Sequence, residues 1–102
     1  MTISVIVPCY NEEESLPLFY AEMEKIKPRL HDTIEYIFIN DGSQDRTLEV
    51  LHDLNMLDPN VHFISFSRNF GKEAALYAGL QHATGDYVTV MDVDLQDPPE
   101  LL

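Results

Sequence analysis

The sequence predicts an α/β domain with a mostly parallel sheet flanked by helices, and three observations predict it. Four short runs rich in β-branched and apolar residues recur: ISVIVP (3–8), IEYIFIN (34–40), VHFISF (61–66) and DYVTVMD (86–92). Between them lie three stretches whose apolar residues repeat at helical spacing. The connections have the length of a crossover and not of a hairpin, so successive strands are expected to run parallel with right-handed connections.

The elements follow in order. After the first run, Leu16, Phe19, Met23, Ile26 and Leu30 share one helical face, with Ser15 as the expected N-cap and Pro17 tolerated in the first turn. Pro28 is expected to close or weaken that helix. The second helix, after Ser43-Gln44-Asp45, carries Leu48, Leu51 and Leu54 and is expected to end before the turn-like Leu57-Asp58-Pro59-Asn60. A third helix is expected from about Lys72 to Ala83. Its Ala74, Ala75, Ala78 and Gly79 are small enough to let it lie close to a sheet, and Gly85 reads as its C-terminal stop. The last stretch, Asp97-Pro98-Pro99-Glu100-Leu101-Leu102, resembles the first turn of one more helix with Asp97 as its cap. No linker or repeat divides residues 1–102, which read as one unit. A doubly wound domain would normally continue beyond it.

Composition narrows the function. Apolar residues make up 45% of the 102 residues, enough for a real core when patterned this way. The formal net charge of −12 repels phosphate backbones and anionic lipid headgroups, so nucleic acid is not an expected partner. The single cysteine, Cys9, excludes an internal disulfide; inside VIVPCY it reads as a buried thiol in a reducing compartment, and the expected location is cytoplasmic. No apolar run approaches the roughly 20 residues of a membrane span.

Each apolar run empties into polar residues at its carboxyl end: Tyr10, Asn11 and Glu12 just after Pro8; Asn40, Asp41 and Ser43; Ser67, Arg68 and Asn69; Asp92, Asp94 and Gln96. In open parallel sheets ligands bind at that edge. The opposite edge receives turn sequences such as His31-Asp32-Thr33 and Thr84-Gly85, so a site is expected at one end only. In extended backbone Asp92 and Asp94 would share a face, their Cα atoms about 6.6 Å apart. Oxygen ligands of this kind suit Mg2+ or Mn2+, which take one or two carboxylates and complete their shell with water and phosphate. A diphosphate is the natural co-ligand, because a cation reconciles it with an acidic chain. Gln96 could add an amide oxygen. Taken singly, these features have plainer readings: paired aspartates often make a solvated turn, Asp41-Gly42-Ser43 an ordinary strand-to-helix turn, Arg68 and Lys72 solvated charges. The four histidines show no metal spacing.

As a set, VIVPCYNEEESL, FINDGSQDRT, SRNFGKEAALYAGL and VMDVDLQDPPELL make the chain resemble, over its whole length, the family 2 glycosyltransferases of GT-A fold. The likeness is greatest to the subgroup that charges a polyprenyl phosphate, which includes dolichyl-phosphate mannose synthases and bactoprenol glucosyltransferases. The resemblance implies the Rossmann-like, nucleotide-binding N-terminal half of a GT-A fold, without the acceptor half or any membrane helices. It implies in-line transfer of a sugar, with inversion, from a UDP- or GDP-sugar to a lipid-phosphate acceptor at the cytoplasmic face of the membrane. Nucleotide-binding roles are implied for Pro8, Tyr10, Glu12, Ile39, Asp41, Asp92 and Val93. Asp92 and Asp94 correspond to the catalytic DxD pair, with Asp94, Asp92 and Gln96 on the metal; Arg68 and Lys72 would face the diphosphate or an assembly surface. Without its second half, the chain is expected to bind donor but not to turn over, and to self-associate through uncovered apolar surface.

Three rivals are weighed against this. A dinucleotide-binding oxidoreductase would need G-x-G-x-x-G where the chain reads PCYNEEES. A phosphotransferase using Asp92 as nucleophile lacks the hydroxyl and lysine expected after it. A calcium-binding or other non-catalytic module is disfavoured because DVDLQDPPELL lacks the EF-hand glycine and closing glutamate.

Overall fold

The computed structural model describes residues 1–93; Asp94, Gln96 and the expected cap Asp97 lie outside the described residues. The elements alternate as β1 (Thr2–Cys9), α1 (Ser15–Leu30), β2 (Thr33–Asn40), α2 (Thr47–Leu57), β3 (Val61–Ser65), α3 (Lys72–His82) and β4 (Tyr87–Val90). Among the described residues the strands form one sheet of order β3-β2-β1-β4 with every pairing parallel.

Strand alternation sends Val5, Val7, Tyr36 and Phe38 to the face covered by α1 and α2, where they meet Leu16, Phe19, Met23 and Leu51. Phe19 meets Phe38 edge-on at 6.1 Å between ring centres, and Tyr36 stacks on Phe38 at 5.8 Å. Ile6, Ile37 and Ile39 face the other way and pack with Ala75 of α3. Burial on both faces explains why β1 and β2 read as continuous apolar runs and not as alternating ones. The small residues of α3 do bring it close: a Cβ at Gly79 would stand 2.4 Å from Ile6 Cγ2.

Several boundaries differ from the sequence expectation. Ser15 is the first residue of α1 and not its cap; Glu14 precedes it in helical backbone with no capping side-chain bond. Pro28 does not end α1, which runs to Leu30 and closes at His31 in the left-handed conformation, φ 57°. Proline forfeits a bond to the turn before it but leaves the residues after it free to bond, so near a carboxyl end its cost is small. Likewise α2 includes Leu57, and β4 stops at Val90 rather than Asp92, although the Met91 N–H still donates to Ile6 O at 3.0 Å.

Gly85 is no helix stop, since α3 closes at Ala83 in extended backbone. It serves the close approach of the α3–β4 connection to β1: its N–H donates to Ser4 Oγ at 2.8 Å, and a Cβ there would stand 2.7 Å from that oxygen. β4 is an edge strand among the described residues, and its Val88 and Val90 side chains are exposed.

Candidate functional site

β1 lies between β2 and β4, and the helices flanking it fall on opposite faces of the sheet: α1 with the Phe19 cluster, α3 with the Ile6 cluster. That reversal opens a crevice at the carboxyl ends of the strands. A cavity of about 330 Å³ occupies it. Pro8, Cys9, Tyr10 and Glu12 contribute from the end of β1, Asp41 from the end of β2, Asn69, Gly71 and Lys72 from the approach to α3, and Asp92 from beyond β4.

The loop after β1 is held by the loop after β2. Backbone N–H groups of Asn11, Glu12 and Glu13 donate to Ser43 Oγ at 2.9 Å, Thr47 Oγ1 at 2.8 Å and Asp45 Oδ2 at 3.2 Å, and the Gln44 N–H donates back to Asn11 Oδ1 at 2.8 Å. Asn11 takes a left-handed φ of 53°, a conformation asparagine tolerates better than most residues. With its neighbours fixed in this way, Tyr10 is presented 44% exposed at the rim. Burial, with the Glu12 charge adding to it, pushes the Cys9 thiol far above its ordinary range, so the sulfur is a neutral wall and no nucleophile.

At the other side of the cavity the Lys72 ammonium stands 3.4 Å from Asp92 Oδ1. Asp41, 5% exposed, accepts the Phe70 N–H on Oδ1 at 2.7 Å and the Gly71 N–H on Oδ2 at 3.0 Å. Arg68 does not line the cavity; its guanidinium lies 4.7 Å from the centre of the Phe70 ring.

Of the residues singled out in the sequence, the structure brings Pro8, Tyr10, Glu12, Asp41, Lys72 and Asp92 to one cavity. It does not bring Ile39 or Val93 there. Ile39 follows strand alternation to full burial under α3, and Val93, three residues past the end of β4, is buried in the core on the opposite face. Cys9 and Gly71 line the cavity without having been singled out for it, and Asn69, noted among the polar residues after the third run, joins them. Gly71 had a legible signal, a glycine just before a helix, and it takes φ 100°.

A second hollow, about 410 Å³, lies toward the amino ends of the strands between Glu35, Ile37, His62, Ile64, His82 and Thr84.

For a divalent cation, the described residues offer no group of three or more His, Cys, Asp or Glu side chains able to hold one. They do offer Asp92, whose side chain is 44% exposed beside the cavity. A single accessible carboxylate fits an ion such as Mg2+ or Mn2+, which takes one or two from protein. No helix among the described residues is long and apolar enough to cross a membrane.

Comparison with known proteins places this geometry in a family. The chain is 50% identical over 102 residues to a prophage bactoprenol glucosyl transferase homolog of Escherichia coli K12, and 52% identical over 105 residues to a bactoprenol glucosyl transferase of Shigella phage SfX. Each match covers all of this chain and 33% of the relative, so the chain spans about a third of their length. Among solved structures it resembles the Pyrobaculum calidifontis mannosyltransferase PcManGT in complex with GDP-Man and Mn2+, at TM-score 0.77 and 25% identity, over 94% of this chain and 32% of that one. It also resembles Staphylococcus aureus TarS 1-349 with UDP-GlcNAc, at TM-score 0.78 and 27% identity, over 92% of this chain and 27% of that one. Both folds are GT-A glycosyltransferases. Residues 4–102 match the profile of glycosyl transferase family 2, and the chain belongs to that family.

Proposed function

We propose that this chain is the donor-binding part of an enzyme that transfers a sugar, with inversion, from a UDP- or GDP-sugar to a polyprenyl phosphate. The observation that carries the proposal is the convergence of Tyr10, Asp41, Lys72 and Asp92, each from the segment that follows a different strand, on one cavity at the sheet's switch point. The E. coli and Shigella phage relatives, named for bactoprenol, support a lipid acceptor, and with it a place at the cytoplasmic face of the membrane. The solved neighbours bound to GDP-Man with Mn2+ and to UDP-GlcNAc support a nucleotide-sugar donor and a divalent metal.

In this reading Tyr10, Pro8 and Glu12 receive the nucleoside, with Asp41 beside them. Asp92 holds the cation together with Asp94 and Gln96, and Lys72 faces the diphosphate. The bound cation supplies Lewis-acid stabilisation of charge on the departing nucleoside diphosphate. The chain's own contribution is to orient the donor and to keep a cationic side chain near the phosphates. An acceptor phosphate is already anionic near neutral pH and needs no strong general base.

Isothermal titration calorimetry with UDP and GDP, each with and without Mn2+, tests the reading. Metal-dependent binding heat is expected, and its loss in Asp92→Asn or Asp94→Asn. Absence of such heat from folded protein would overturn the donor-binding assignment. Sugar transfer to a polyprenyl phosphate by the chain alone would overturn the view that it binds without turning over. Exposed Val88 and Val90 on β4 support self-association of the chain, which light scattering would detect.

A further inference from the structure

Asp41 stands at the end of β2, yet its carboxylate is spent on a segment 29 and 30 residues away. One oxygen accepts the Phe70 N–H at 2.7 Å, the other the Gly71 N–H at 3.0 Å, and Asn69 Nδ2 donates to the Asp41 carbonyl at 3.3 Å. A second observation, independent of the carboxylate, joins the same two segments. Gly42, at φ 70°, lies so close to the approach to α3 that a Cβ on it would stand 2.2 Å from Arg68 C and 2.3 Å from Asn69 N.

What this junction controls is the start of α3. Gly71 is the residue before the helix, it has no side chain with which to cap it, and its φ of 100° belongs to a region where glycine is free to move. The body of α3 is anchored by Ala75 and Gly79 against the sheet. Its first residue, Lys72, is anchored by neither. We propose that Asp41 is a positioning residue: its carboxylate fastens the 69–71 segment to the end of β2 and so fixes where Lys72 presents its ammonium to Asp92. A carboxylate has about four acceptor positions and spends two here, so the nucleoside contact described above remains open to it. The consequence at Asp92 rests on the donor-binding reading; the tether itself does not.

Two sets of measurements on the chain test the proposal. In the unliganded wild type, NMR should detect scalar couplings across the hydrogen bonds from the Phe70 and Gly71 amide nitrogens to the Asp41 carboxyl carbon. In Asp41→Asn, whose amide NH2 cannot accept the second bond, hydrogen exchange at Phe70 and Gly71 should rise roughly tenfold or more, with the Val5 to Val7 amides unchanged. Absence of both couplings where backbone ones are seen, or unaltered exchange, would overturn the tether. Its action through Lys72 is read from Mn2+–nucleotide affinity in a double-mutant cycle. Asp41→Asn should weaken binding severalfold in the wild type and by a clearly smaller factor in a Lys72→Ala background, where only its own nucleoside contact is left to lose. Fully additive losses would show that Asp41 does not act through Lys72. If the wild type binds no nucleotide, the donor-binding reading fails, while couplings and exchange still decide the tether. Should Asp41→Asn not fold, the wild-type couplings decide it alone.

Discussion

Lys72 Nζ lies 3.4 Å from Asp92 Oδ1, linking the first turn of α3 to the residues beyond β4 across the mouth of the cavity. Their side chains are 63% and 44% exposed, so the pair adds little to stability in water. Asp92→Asn is therefore expected to leave the melting temperature essentially unchanged while removing metal-dependent nucleotide binding. A large drop in melting temperature would instead make the pair a structural one. Differential scanning fluorimetry beside calorimetry separates the two.

Gly79→Ala poses two effects against each other. Alanine improves helix propensity by about 1 kcal/mol. The added methyl would meet Ile6 Cγ2 at 2.4 Å and Ile39 Cδ1 at 3.0 Å, and both isoleucines are fully buried. Overpacking a closed site costs about 1–3 kcal/mol, so net destabilisation is expected in chemical denaturation. A stabilised variant would mean that α3 can shift outward from β1 without loss.

Acid should weaken the fold through Glu35. Burial alone would raise its pKa, but hydrogen bonds donated by Ser4 Oγ, the Thr84 N–H and Thr84 Oγ1, with His62 nearby, outweigh burial and hold the carboxyl below its ordinary range. A carboxyl lowered by folding stabilises the native state above its unfolded pKa and loses that contribution as pH falls through its folded one. Melting temperature should thus decline as pH drops below about 4, and the decline should be shallower in Glu35→Gln. Identical acid slopes in the two proteins would remove Glu35 from the account.

Cys9 offers a chemical test of the cavity wall. It is 2% exposed and its thiol is held protonated by burial and by the Glu12 charge. Iodoacetamide at pH 8 should leave native protein unmodified and alkylate it once guanidinium has unfolded the chain. Rapid modification of the native state would show that the end of β1 opens to solvent.

How much of this was legible in the residues varies by element. The apolar runs marked all four strands: burial on both faces made β1 and β2 continuous, while β3 and β4, more exposed, were marked by their β-branched and aromatic residues. The Leu16, Phe19, Met23 and Ile26 stripe marked α1 in the same way. The end of α1 was misplaced at Pro28 and the role of Gly85 misread, since both depend on what lies nearby in space: His31 turning left-handed, and Ser4 pressing on the α3–β4 connection. That Tyr10, Asp41 and Asp92 would gather at one edge of the sheet was legible from their place after strands, and they line one cavity there.

By itself the sequence determined the α/β class, the alternation of elements, the acidic field and the edge of the sheet where chemistry gathers, because these follow from local pattern and composition. Only the tertiary structure decided the strand order, the bond from Asp41 to the Phe70 and Gly71 amides, and the meeting of Lys72 with Asp92. The last two are contacts between residues 20 to 30 positions apart, and strand pairing joins residues farther still; all are brought together where helices cross to opposite faces of one sheet, and no local pattern encodes them.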